Sequence, residues 1–197
     1  MPLPLKFLLK AWNQTENRRS LKRGASFFFL FAAWLFHACA APPSVLRPET
    51  GRLLKGVPFF PQEAYQCGPA SLASVLNYWG LKIAPEEIAE EIFSRGARGT
   101  LNLDMFLYVQ RKGLKATQDR GSPESLKQNI DAGRPVIVLV DLGVWVYRQG
   151  HYMVVVGYAE DGVIAHSGRE ERKFIPWNAF LKSWERTKFW TLLVTPS

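Results

Sequence analysis

The stretch FFPQEAYQCGPASLASVLNYWG, residues 59–80, decides how the rest of the chain is read. Its second half has helical spacing: Leu72, Ala73, Val75, Leu76 and Trp79 recur on one face. Pro69 suits a first helical turn, because a proline there forfeits no hydrogen bond, and Gly80 suits the stop. Cys67 therefore falls at the helix N-terminus, preceded by Gln62 and followed by Gly68. The chain has only two cysteines, Cys39 and Cys67, so the use of this one thiol becomes the question.

Cys39 belongs to a different kind of segment. The run RRSLKRGASFFFLFAAWLFHACAAPP has a basic opening, an apolar core from Phe27 to Phe36 and a zone of small residues. An apolar core that short is below bilayer-spanning length and fits a signal peptide. FHAC, ending at Cys39, resembles a bacterial lipoprotein box in which Cys39 is the lipidated residue, although ACA followed by APP also suits ordinary signal cleavage. The expected organisation is a signal region over 1–38, a tether over 39–55 and one domain over 56–197. The expected location is the bacterial cell envelope, exported either to the periplasm or to the membrane, where an N-terminal lipid anchors it. The tether's APPSVLRPETGR is rich in turn formers.

The net charge of +8 is concentrated at the start of the chain. Lys6, Lys10, Arg18, Arg19, Lys22 and Arg23 against Glu16 account for +5 of it, which leaves +3 for everything after residue 26. Farther on, Arg169, Arg172 and Lys173 alternate with Glu170 and Glu171, the pattern of a solvated charged run. No phosphate-tracking stripe follows from this, and nucleic acid is not an expected partner.

Beyond residue 80 the pattern predicts helices in APEEIAEEIF, NLDMFLYVQRKG and SPESLKQNIDAG, the last with Ser122 as N-cap and Pro123 at the first helical position. The character then changes. PVIVLVD, HYMVVVGYA, VIAHSG, ERKFI and FWTLLVTP read as strands, with Asp161-Gly162 a hairpin signal and PWNAFLKSW a short helix. Helices first and mainly antiparallel strands afterwards give an α+β class.

The chemistry converges on Cys67 and His151. A thiol at a helix N-terminus is favoured as thiolate by the partial positive charge there, and an imidazole can take its proton. Cys67 as a buried small hydrophobe is the bland alternative. An exported chain whose other cysteine ends the signal argues against both that and a disulfide. A zinc site through Cys67, His151 and His166 lacks paired ligand spacing and a fourth ligand, so no metal or cofactor is expected.

VPFFPQEAYQCGPASLASVLNYWG, followed some 80 residues later by GHYMVVVGYAEDGVIAHSG, resembles the C39-type cysteine peptidases, the bacteriocin-processing group and its stand-alone relatives. The likeness runs from Val57 to the C-terminus. It implies a papain-like fold in which a helical half bearing the nucleophile packs on the sheet. It also implies Cys67 as nucleophile, His151 as general base and Gln62 as an oxyanion donor, acting on a peptide or protein substrate through an acyl-enzyme. The family usually orients its histidine with Asp in an Asp-Pro pair; the matching position here is Ser167, in AHSG. Serine can accept the imidazole N–H but brings no charge, and Ser167 also reads as a turn residue before Gly168. Some relatives share HSG. Gln66 stands where transporter-linked members have Asp, and no Walker loop follows. Two other outcomes stay open: a weak or inactive peptide-binding domain, and a transpeptidase or amidase using the same thiol.

Overall fold

The computed structural model describes residues 51–62 and 66–197. The signal region, Cys39 and most of the tether lie outside the described residues. The described part opens with β1 (Gly51–Leu53), followed by α1 (Cys67–Tyr78) and α2 (Pro85–Ile92). A small hairpin, β2 (Phe93–Ser94) and β3 (Gly99–Thr100), leads into α3 (Asn102–Arg111). Then come β4 (Lys115–Arg120), α4 (Pro123–Asp131), β5 (Val136–Asp141), β6 (Gly150–Ala159), β7 (Gly162–Ser167) and β8 (Glu170–Pro176). The chain closes with α5 (Trp177–Glu185) and β9 (Trp190–Thr195).

One antiparallel sheet organises the domain, in the order β4-β9-β5-β6-β7-β8. Its central strands β5 and β6 are apolar on both faces because both faces are covered, which is why they read as continuous β-branched runs. Helix α1 lies against β6, and α5 lies against β5 and β7. Residues 68–76 of α1 are all buried, the mark of a helix enclosed on every side. This is the expected α+β arrangement of a helical half against an antiparallel sheet.

Three elements depart from the sequence reading. Residues 51–53, assigned to the tether, form β1 on the free end of β6, with Leu53 opposite Gly157. A Cβ on Gly157 would stand 2.6 Å from the Arg52 carbonyl oxygen, so glycine lets the added strand close in. Lys115–Arg120 forms an edge strand although its sequence, KATQDR, has no apolar alternation; pairing with β9 alone makes it one. The β2–β3 hairpin is the third, and it brings Thr100 against the start of α1.

Candidate active site

Cys67 occupies the first turn of α1. Neither it nor Gly68 has an intrahelical acceptor for its N–H, as at every helix start, and Pro69 has none to satisfy. Gly68 makes room for the hairpin: a Cβ there would lie 2.8 Å from both Cβ and Oγ1 of Thr100. Glycine lets the hairpin press against α1 and form one wall of the cleft.

His151 enters from the sheet, near the start of β6 and opposite Val140 of β5. Its Nε2 lies 3.0 Å from Ser167 Oγ, at the end of β7. With Nε2 engaged by Ser167, Nδ1 is the nitrogen left for the thiol. Serine here does make the contact that a carboxylate makes in the usual family pattern, without its charge. Tyr152, the next residue, bonds through its hydroxyl to the Thr100 carbonyl at 3.2 Å and to Asn102 Oδ1. That ties the histidine's strand to the wall beside Cys67.

Gln62 is held by the turn that follows Ser167. The Gln62 N–H donates to the Gly168 carbonyl at 2.9 Å, and the Gly168 N–H donates to Gln62 Oε1 at 3.2 Å. Fixing the amide oxygen in this way leaves the NH2 group as the cleft-side donor. Gly168 has φ +61°, a left-handed conformation suited to glycine. The two-residue turn thus serves two functional groups at once: Ser167 meets the imidazole and Gly168 meets the glutamine. A proline at 168, as in the usual pair, would have no N–H to give.

Gln62, Cys67 and His151 line a single cleft of about 1060 Å³. Thr100, Leu101 and Asn102 form one wall; Leu139, Arg148 and Gln149 lie along another side. The β5–β6 loop is rooted in buried Asp141, whose Oδ1 accepts the N–H groups of Gly143 and Gln149 at 2.9 Å each. Arg186 Nη2 stands 3.1 Å and Arg148 Nη1 3.6 Å from its Oδ2. Burial works to raise this carboxyl, but the two N–H groups and the two guanidinium groups together hold it below its ordinary value. Past that root, Val144, Trp145, Val146 and Tyr147 are exposed, Trp145 at 94%.

The thiol and the imidazole are both drawn toward their neutral forms. Burial pushes the Cys67 thiol up; the N–H groups of Tyr152, Gly68 and Cys67 offset it only in part. Burial, and after it the charge of Lys173, pushes His151 down. Burial therefore works against the thiolate that the helix N-terminus favours, and against the imidazolium. The third histidine is placed differently. His166 is 2% exposed, on the other face of β7, where Nε2 donates to the Val57 carbonyl at 3.2 Å and Nδ1 accepts from the Arg172 N–H at 3.2 Å. Among the described residues no group of His, Cys, Asp and Glu is arranged to hold a metal ion, and no helix is long and apolar enough to cross a membrane.

A helix-borne thiol facing a sheet-borne histidine on an α+β scaffold is the architecture of papain-like cysteine peptidases. The solved structures agree. A Bacillus anthracis protein described as a C39-like peptidase superposes with a TM-score of 0.63 at 19% identity, over 76% of this chain and 99% of that one. The peptidase domain of Streptococcus ComA, a bifunctional ABC transporter, gives 0.59 at 22%, over 74% and 98%. A Carica candamarcensis cysteine protease, CMS1MS2, solved with E-64, gives 0.52 at 17%, over 71% and 93%. At these identities the likeness is one of fold. The model of the Peptidase_C39 like family matches residues 54–191, and the chain belongs to that family. No curated protein sequence matches it.

Proposed function

We propose that the protein is a cysteine peptidase working through an acyl-enzyme on Cys67. The observation that carries this reading is the convergence of Cys67, His151 and Gln62 on one cleft, with Ser167 behind the histidine. His151 Nδ1 takes the thiol proton as sulfur attacks the peptide carbonyl carbon, while the Nε2–H donates to Ser167. The oxyanion is held by the Gln62 side-chain N–H and the Cys67 backbone N–H. His151 then gives the proton to the leaving amine as the C–N bond breaks. Water, deprotonated by the same nitrogen, releases the acid and restores the thiol. The site needs no cofactor for these steps.

The test is digestion of a proteome-derived peptide mixture by the full-length protein, read by mass spectrometry against Cys67→Ala. New termini that vanish in Cys67→Ala support the reading; identical peptide maps defeat it. An added amine acceptor separates hydrolysis from acyl transfer by product mass. A weak or silent peptide-binding domain is the second reading, favoured by Ser167 standing where a charged partner would stabilise imidazolium. If turnover appears only in Ser167→Asp, that second reading holds.

The same proposal places the enzyme outside the cytoplasm, anchored in the cell envelope through Cys39. The support is the segment from Arg18 to Pro43. Metabolic labelling with a palmitate analogue in wild type and Cys39→Ala tests it, and label retained in the variant rejects the anchor.

A further inference from the structure

We propose that the cleft selects acidic peptide segments; this rests on the peptidase reading and names its substrate class. Three arginines, Arg98, Arg148 and Arg169, line the cleft from three separate parts of the chain, and no carboxylate side chain lines it among the described residues. They reach it from the β2–β3 hairpin, the β5–β6 loop and the β7–β8 turn.

Local pairing sharpens the imbalance. In the charged run after Ser167, Lys173 Nζ meets Glu170 at 2.6 Å and Arg172 Nε meets Glu171 at 3.5 Å. The run's two acids are thereby matched by two of its cations. Arg169 is the cation left over, beside Gly168 and hence beside Gln62. On the β5–β6 loop, Asp141 is one negative charge shared between Arg148 and Arg186. A net positive charge therefore remains at both of these places. Leu101 and Leu103, exposed at 51% and 61%, add apolar surface to the same cleft. An extended peptide that carries Asp or Glu together with an apolar residue matches this combination of cations and apolar surface.

The experiment uses two readouts. Libraries of fluorescent octapeptides, with Glu, Gln or Lys fixed at each position in turn, are incubated with the full-length protein for cleavage. The same libraries are titrated against full-length Cys67→Ala by fluorescence polarisation. Glu-fixed pools should exceed Lys-fixed pools by at least about fivefold at one or more positions. That ratio should shrink as salt rises from ~50 to ~500 mM, and it should fall toward one in Arg169→Glu. Arg169→Gln is the second variant, should the first misfold. Equal binding of Glu and Lys pools, or a preference for Lys, overturns the proposal. If no pool is cleaved, the peptidase reading fails, while the binding ratio still decides the charge preference.

Discussion

The surroundings of two histidines on adjacent strands show how one sheet leaves a ring nitrogen open on one face and occupies both on the other. His151 on β6 faces the cleft, with one ring nitrogen on a serine hydroxyl and the other left for chemistry. His166 on β7 faces inward, where backbone groups from Val57 and Arg172 occupy both nitrogens. Burial depresses both imidazoles. Titration alone would not tell them apart; the difference lies in a free nitrogen and an open face. A one-residue step in β7 separates Ser167, which supports His151, from His166, because successive side chains on a strand point oppositely.

The largest expected effect breaks the comparison outright. Cys67→Ala and His151→Ala should each lower kcat/KM by at least about 10³-fold, while melting temperatures stay within a few degrees of wild type. His166→Ala should do the reverse. It leaves the Arg172 N–H and the Val57 carbonyl without their partner, which costs about 1–3 kcal/mol of stability, with kcat close to wild type. Paired urea melts and peptide kinetics check this. A His166 variant that folds as well as wild type but turns over a hundredfold more slowly would erase the distinction.

Gln62→Ala comes next, with a fall of about 10²-fold in kcat and little change in KM, the signature of an oxyanion donor. Gln62→Glu sharpens it, because Glu keeps an acceptor for the Gly168 N–H but has no NH2 group. A comparable loss in both variants assigns the role to donation; near-normal activity in Gln62→Glu assigns it to the bridge. Ser167→Ala should cost less, about tenfold, since the hydroxyl orients a neutral ring. Ser167→Asp adds a charge beside the imidazole and raises its pKa. The acid limb of the kcat/KM profile, which in wild type lies below the ordinary histidine value near 6.5, should move upward.

Much of this was legible before the fold was known, because the residues concerned announce themselves locally. Cys67 sits at the start of a periodic run, and the β-branched runs of β5 and β6 are strands whatever they pair with. Gln62 had no local signal; it was found through the family likeness, and its geometry comes from Gly168 106 residues away. The sequence allows Ser167 as either partner or turn residue, and it ends a strand at a turn while contacting His151. What escaped the sequence is tertiary. Arg169 stands in a stretch with the sequence pattern of a solvated charged run, and only the pairing of its neighbours isolates it at the cleft. KATQDR carries no period of its own, and Gly68 serves Thr100, which no spacing could indicate. The balance at Cys67 is divided in the same way. The helix N-terminus is local and readable, whereas the burial that opposes it is made by β6 and the β2–β3 hairpin.

The smallest effect returns to His166 and concerns stability against pH. Burial, outweighing its bond to the Val57 carbonyl, holds the folded pKa of His166 below the unfolded value near 6.5. Above about pH 6.5 the ring is neutral in both states and its contribution is fully present. As pH falls, the unfolded chain binds a proton that the folded chain refuses, and stability declines until the depressed folded pKa is passed. His151 titrates in the same direction and adds to the slope. Urea midpoints at about pH 7.5 and 5.5 should therefore differ more in wild type than in His166→Gln, which has no titrating ring at that position. They should also differ more than in His151→Gln, if each imidazole contributes its own part. A drop of equal size in all three proteins would mean that neither ring governs the acid side. Burial would then have to be assigned a smaller hold on both histidines than their surroundings imply.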